Sequence, residues 1–186
     1  VALLLCGRLI RQKMLVDPGG HWRDHLWLDA WVTAPTVADG RVFVGDVQGC
    51  QVLALDQRHG ERLWRFTAGG RIDSPPTIFQ GRCIFGTHDG YVYCLDAADG
   101  HVIWKRTDLE CQHVQGPGSS PIVYKDLLIL HYERSDVQYI VALDKANGKT
   151  VWRTERPIAL YDKLEPIGKK AYITPLIIEV GGRDLL

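Results

Sequence analysis

His21 and His25 stand four residues apart, a spacing that would put two imidazoles on one face of a helix, ready for a divalent metal. No glutamate lies between them to act as a base, and no third ligand is evident. An ordinary loop or surface pair is therefore the simpler reading. Ser119 and Ser120 follow Gly116-Pro117-Gly118, but the G-x-S-x-G surround of an activated serine is absent. The same stretch lacks the Gly-Lys-Ser/Thr ending of a phosphate loop and reads as a connection into a strand opened by Pro121. Five cysteines, Cys6, Cys50, Cys83, Cys94 and Cys111, form an odd set with no C-x-x-C, which argues against a disulfide framework and a zinc site. A hairpin turning at His88-Asp89-Gly90 would put Cys83 and Cys94 on one face of neighbouring strands. They could pair there in an oxidising compartment; two reduced core thiols are the simpler state. No catalytic, cofactor-binding or metal constellation emerges from these residue types.

The elements that would have to position any such group are repeated. Ala54-Leu55-Asp56 leads to Gly60 and Trp64, Cys94-Leu95-Asp96 to Gly100 and Trp104, and Ala142-Leu143-Asp144 to Gly148 and Trp152, at identical offsets. The tryptophans recur at steps of about 40 to 50 residues, the length of a four-stranded propeller blade. Each unit opens with a proline (Pro35, Pro76, Pro121, Pro175) and a first strand. A second strand follows at Val42 to Gly45, Cys83 to Gly86 and Leu127 to His131, and a third at Gln51 to Leu55, Tyr91 to Leu95 and Val137 to Leu143. The Asp-to-Gly turn then delivers the strand that carries the tryptophan. Asp can bond the backbone ahead of it, and Gly suits a left-handed position closing the loop. Third strands such as Val52-Leu53-Ala54-Leu55 are apolar on both faces, as expected where one small sheet stacks between two others. Each indole can remove roughly 200 Å² from water, worth up to about 5 kcal/mol.

Composition fits this reading. The chain has 186 residues, 46% of them hydrophobic, with six tryptophans, nineteen glycines and 22 basic residues against 22 acidic ones. That balance excludes broad attraction to nucleic acid, and Lys169-Lys170 is too small a basic patch to reverse it. No segment approaches the roughly 20 apolar residues of a membrane span. Val1 to Ile10 is apolar but short, with Arg8, Arg11 and Lys13 placed late for a secretory signal, and reads as a strand.

The A-x-D-x-x-x-G-x-x-x-W pattern resembles the tryptophan-docking motif of the quinoprotein (PQQ-like) repeat propellers. That family contains PQQ-dependent alcohol and sugar dehydrogenases and non-enzymatic propellers, among them an outer-membrane assembly lipoprotein. Residues 32 to 180 follow its layout. The resemblance implies an all-β fold, a partial β-propeller of four-stranded antiparallel blades. About three blades are complete: residues 32–70, 71–107, and 108–156 with a long entry loop. Residues 1–31 would be a partial preceding blade or irregular segment, and 157–186 a long loop and a further blade cut after its first strand. By the same resemblance, Trp64, Trp104 and Trp152 would dock between blades against Ala54, Cys94, Ala142 and the motif glycines. Cys94 replaces the usual alanine and is a bulkier neighbour.

The resemblance implies a non-catalytic interaction or assembly scaffold, periplasmic or otherwise extracytoplasmic, needing no cofactor. Its alternative is a piece of a PQQ-dependent dehydrogenase, which would require PQQ, calcium ligated by Glu, Asn and Asp, an Asp base and usually an adjacent Cys-Cys pair. No Cys-Cys occurs, and Asp73, Asp89, Glu110 and Asp136 read more simply as turn or loop acids. Recognition of a protein partner is expected in the longer connections, at Glu110-Cys111-Gln112-His113 and Tyr161-Asp162-Lys163-Leu164-Glu165, because rigid sheets position variable loops. The remaining blades of the ring are the other expected neighbours.

Overall fold

The computed structural model describes residues 31–109, 120–133, 137–157, 163–169 and 174–186. His21, His25, Cys6, Cys111, Glu110 to His113, Gly116 to Ser119, Asp136, Tyr161, Asp162 and Lys170 lie outside the described residues.

Three antiparallel four-stranded meanders account for most of the described chain. The first is β1 (Thr36–Ala38), β2 (Arg41–Asp46), β3 (Gln51–Asp56) and β4 (Arg62–Thr67), in that spatial order. The second is β5 (Thr77–Phe79), β6 (Arg82–Gly86), β7 (Val92–Asp96) and β8 (Val102–Arg106); the third is β9 (Ile122–Tyr124), β10 (Leu127–Glu133), β11 (Gln138–Asp144) and β12 (Thr150–Glu155). After a short 3-10 turn at Pro166–Lys169, β13 (Ile178–Val180) and β14 (Arg183–Leu185) form a separate hairpin. The segment expected to hold only the first strand of a further blade thus carries two, because Gly181-Gly182 makes a tight reversal between Val180 and Arg183.

The sheets stack face to face as successive blades of a propeller arc. Phe43, Val52, Ala54 and Trp64 of the first sheet share one core with Cys83, Phe85, Tyr93 and Leu95 of the second. Ile84, Val92, Cys94 and Trp104 of the second share another with Leu128, Tyr139, Val141 and Leu143 of the third. Side chains in a strand point alternately to opposite faces, so a sheet buried on both sides needs apolar residues at every position. Val52 to Leu55 and Val92 to Leu95 are buried throughout, for that reason. Aromatic pairs stiffen the interfaces: Phe85 stacks on Tyr93 across β6 and β7 at 5.3 Å, and Phe66 reaches over from β4 to lie 5.3 Å from Tyr93.

This alternation corrects the expected placement of two cysteines. β6 and β7 pair Cys83 with Leu95 and Ile84 with Cys94, the register of a turn centred on Asp89, which leaves Cys83 and Cys94 one residue out of step. A one-residue change of register moves a side chain to the other face. Cys83 thus faces the first sheet and Cys94 the third, both buried as free thiols.

Candidate functional site

The repeated residues converge on the seams between sheets. Each Asp opens its turn by accepting backbone N–H groups. Asp56 Oδ1 accepts from Arg58 N at 2.9 Å and His59 N at 2.7 Å, and Asp96 Oδ1 accepts from Ala98 N at 2.7 Å. Asp144 Oδ1 accepts from Ala146 N at 2.7 Å and Asn147 N at 3.2 Å. Hydrogen bonding by the His59 amide holds the Asp56 carboxyl below its usual range, because such bonds favour the charged form. The turns close by donation from Gly60 N, Gly100 N and Gly148 N to the carbonyls of Asp56, Asp96 and Asp144.

Those turns receive the indole of the preceding sheet. A Cβ built on Gly100 would lie 2.8 Å from Trp64 Cε3, and one on Gly148 would lie 2.7 Å from Trp104 Cε3. Both glycines also hold left-handed backbones, with φ of +80° and +73°. The indole N–H donates to a backbone carbonyl of the same turn: Trp64 Nε1 to Ala97 O at 3.0 Å, Trp104 Nε1 to Lys145 O at 3.1 Å. Trp64 and Trp104 are each 8% exposed. Ala54, Cys94 and Ala142 sit fully buried opposite Trp64, Trp104 and Trp152 in their own sheets, so the extra atom of Cys94 is accommodated. Gly60 is buried at the equivalent place in the first sheet, whereas Trp152 of the third is only half-buried.

The seams contain fastenings that the repeat pattern did not single out. Thr36 Oγ1 donates to Pro76 O at 2.7 Å, and Thr77 Oγ1 to Pro121 O at 3.0 Å, joining first strand to first strand. The signal was the Pro-Thr pair at 35–36 and 76–77, replaced by Pro-Ile at 121–122. Arg106 donates from Nη1 to Gly148 O at 2.6 Å and to Thr150 Oγ1 at 3.0 Å. Its other edge grips Asp108 through Nε at 2.6 Å and Nη2 at 2.8 Å. Arg82 Nη1 reaches Lys145 O and Ala146 O at 3.3 Å each.

The candidate acids do not assemble. Asp73 pairs with Arg71 at 2.8 Å, and its second oxygen is buried without a hydrogen-bond partner among the described residues. Asp89 accepts from Thr87 Oγ1 and lies against Gly69 and Gly70. Among the described residues no group of three or more His, Cys, Asp and Glu side chains is placed to hold a metal ion. Ser120 N lies 3.4 Å from Thr174 Oγ1, a structural bond at the entry to the third sheet. Lys163, Leu164 and Glu165 are exposed. No helix among the described residues is long and apolar enough to cross a membrane.

A family model described as outer membrane protein assembly factor BamB matches residues 16–159. The chain is 28% identical over 156 residues to a quinohemoprotein alcohol dehydrogenase of Comamonas testosteroni, covering 74% of this chain and 22% of that protein. It is 32% identical over 135 residues to an outer membrane protein assembly factor BamB of Legionella pneumophila, covering 65% of this chain and 32% of the relative. The crystal structure of BamB from Moraxella catarrhalis superposes with a TM-score of 0.58 at 21% identity, over 70% of this chain and 38% of that one. The Comamonas dehydrogenase structure superposes with a TM-score of 0.58 at 25% identity, over 68% of this chain and 22% of that one. The chain spans less than two fifths of each of these relatives.

Proposed function

The chain belongs to the PQQ-like repeat family whose model describes outer membrane protein assembly factor BamB, and on that footing we propose that it is a non-catalytic segment of an assembly or protein-interaction scaffold. One observation carries the reading. Both seams between described sheets are completed by indole, glycine and backbone carbonyls of this chain, which makes the sheets a stiff mount for their connections. A rigid mount with variable loops holds a partner at low entropic cost, because little has to be ordered on binding. Tryptophan docking is then the motif's purpose, and the expected setting is the periplasm or another extracytoplasmic space. The partner is a protein held at the loops around Glu110 to His113 and Tyr161 to Glu165.

Grafting short connections at those two places, with partner capture measured on the full-length protein, tests the proposal. Undiminished capture would rule the loops out. A dehydrogenase role is the second reading, favoured by the likeness to the Comamonas enzyme. Adding PQQ and calcium to the full-length protein and following dye reduction with alcohols and sugars separates the two readings, since turnover would make the scaffold reading wrong.

A further inference from the structure

We propose that the outermost strands β4, β8 and β12 form a docking wall for an acidic, aliphatic-bearing segment of a protein partner. The proposal deepens the scaffold reading and rests on it, adding a second contact on the outer wall to the one at the loops.

The same irregularity occurs in all three sheets. Opposite Ala54 stands Trp64 and opposite Leu55 stands Arg62, so Leu63 drops out of the ladder. Ile103 drops out between Val102 and Trp104, and Val151 between Thr150 and Trp152. A bulge of this kind re-aims the extra side chain and bends the strand. Leu63, Ile103 and Val151 are 48%, 43% and 55% exposed. Exposed aliphatics scattered singly need no explanation. Three at one register, each on a bulge and each beside an indole that already does the packing, are not scatter.

Charge on these strands is one-sided. In a chain with 22 bases and 22 acids, Arg62, Arg65, Lys105, Arg106 and Arg153 lie on the outer strands against Glu155 alone. Arg62, Arg65 and Lys105 are exposed beside the bulged aliphatics, whereas Arg153 is paired with Glu155 and Arg106 with Asp108. The complement is a segment carrying carboxylates and aliphatic side chains together. Because bulges interrupt edge pairing, the contact is made through side chains and not by adding a strand. Cations next to aliphatics would also suit an anionic bilayer. The three strands, however, belong to three sheets fanned along an arc, a convex wall that a flexible peptide can follow and a flat bilayer meets one strand at a time.

The test uses the full-length protein and a short labelled peptide of alternating glutamate and leucine, followed by fluorescence anisotropy. A lysine–leucine peptide and phosphatidylglycerol vesicles are run in parallel. The glutamate–leucine peptide should bind saturably, more weakly at high salt, and at least about tenfold more weakly to the combined variant Leu63→Ser, Ile103→Ser, Val151→Ser. Absence of saturable binding, equal affinity for the lysine–leucine peptide, or unchanged affinity of the combined variant would overturn the proposal. So would vesicle binding that the same substitutions abolish. Should the combined variant lose cooperative unfolding, the single variants decide, each expected to weaken binding about two- to threefold. Loop grafts that abolish partner capture should leave peptide affinity untouched, which separates failure of this wall from failure of the loop reading.

Discussion

Alanine at Gly148 should cost the protein about 3 to 4 kcal/mol, and the value can be built up from the seam. The left-handed backbone there, at φ +73°, costs any L-residue about 1 to 2 kcal/mol. The new methyl would stand 2.7 Å from Trp104 Cε3 and 2.8 Å from Cδ2, well inside contact distance, with the ring as the neighbour that must move. Shifting the ring stretches the bond from Nε1 to Lys145 O, now 3.1 Å, which forfeits about 1 kcal/mol. Exposing about a quarter of the roughly 200 Å² of buried indole costs a further ~1.3 kcal/mol at about 25 cal/mol per Å². Gly81 is the control: its φ is +72° but a Cβ there meets nothing within 4 Å, so Gly81→Ala should cost only the backbone part, about 1 to 2 kcal/mol. Urea unfolding followed by tryptophan emission and by far-ultraviolet dichroism measures both. In a Trp104→Ala background the Gly148→Ala penalty should fall to the Gly81→Ala value, since the collision has been removed. Equal costs for Gly148→Ala and Gly81→Ala in the parent chain would refute this account of the seam.

The other expectations follow from the same contacts. Trp104→Ala should cost about 3 to 5 kcal/mol, and Trp152→Ala, whose indole is only half-buried, about half that in the same unfolding assay. Thr77→Val keeps the shape but removes the donor to Pro121 O and should lower stability by about 1 kcal/mol; no change would mean that the first strands are not fastened there. The hydrogen bonds from Arg106 hold the Asp108 carboxyl below its usual range. That contribution is present above the unfolded carboxyl value of about 4 and is lost as pH falls through the folded one. Arg106→Met should therefore flatten part of the acid limb of a stability–pH curve, and an unchanged limb would count against the clamp. Burial pushes the thiols of Cys83 and Cys94 up. With Cys6 and Cys111 replaced by serine, a thiol reagent at pH 8 should label Cys50 quickly and the other two only on unfolding.

The Asp, Gly and Trp spacing made the blades legible because each residue answers a local demand: turn opening, left-handed closure, and a large flat anchor. The apolar third strands announced sheets covered on both sides in the same way. The acceptors were not legible. Ala97 O and Lys145 O are backbone atoms, and any residue type would supply them, so the sequence carries no mark of the bonds they receive. The register between β6 and β7 was in view: a turn centred on Asp89 pairs Cys83 with Leu95, one residue past Cys94, and neighbouring residues of a strand face opposite ways, which is what sends the two cysteines to different seams. The bulges lay half in view. Gly-x-x-x-Trp places three residues between turn and indole, and only pairing with the neighbouring strand shows that one of them falls out of line.

The seams are not equivalent, and their differences follow from single residues. Between the first and second sheets, a threonine hydroxyl and an indole each reach a carbonyl of the next blade. Between the second and third, the same two bonds recur and two arginines join them. At the far side of the third sheet Ile122 stands where Thr36 and Thr77 stood, so that position offers no hydroxyl. Contacts there come from Tyr124 and Lys125 to Asp184 and from Gln138 Nε2 to Lys169 O, with Trp152 half-buried. Lys125 and Asp184 are largely exposed, and exposed ion pairs contribute little. A seam closed by indole and backbone resists salt and pH, whereas one resting on surface charge yields to both. Opening of the arc should begin behind the third sheet, at β13 and β14, where hydrogen exchange of β14 amides ought to outpace that of β7.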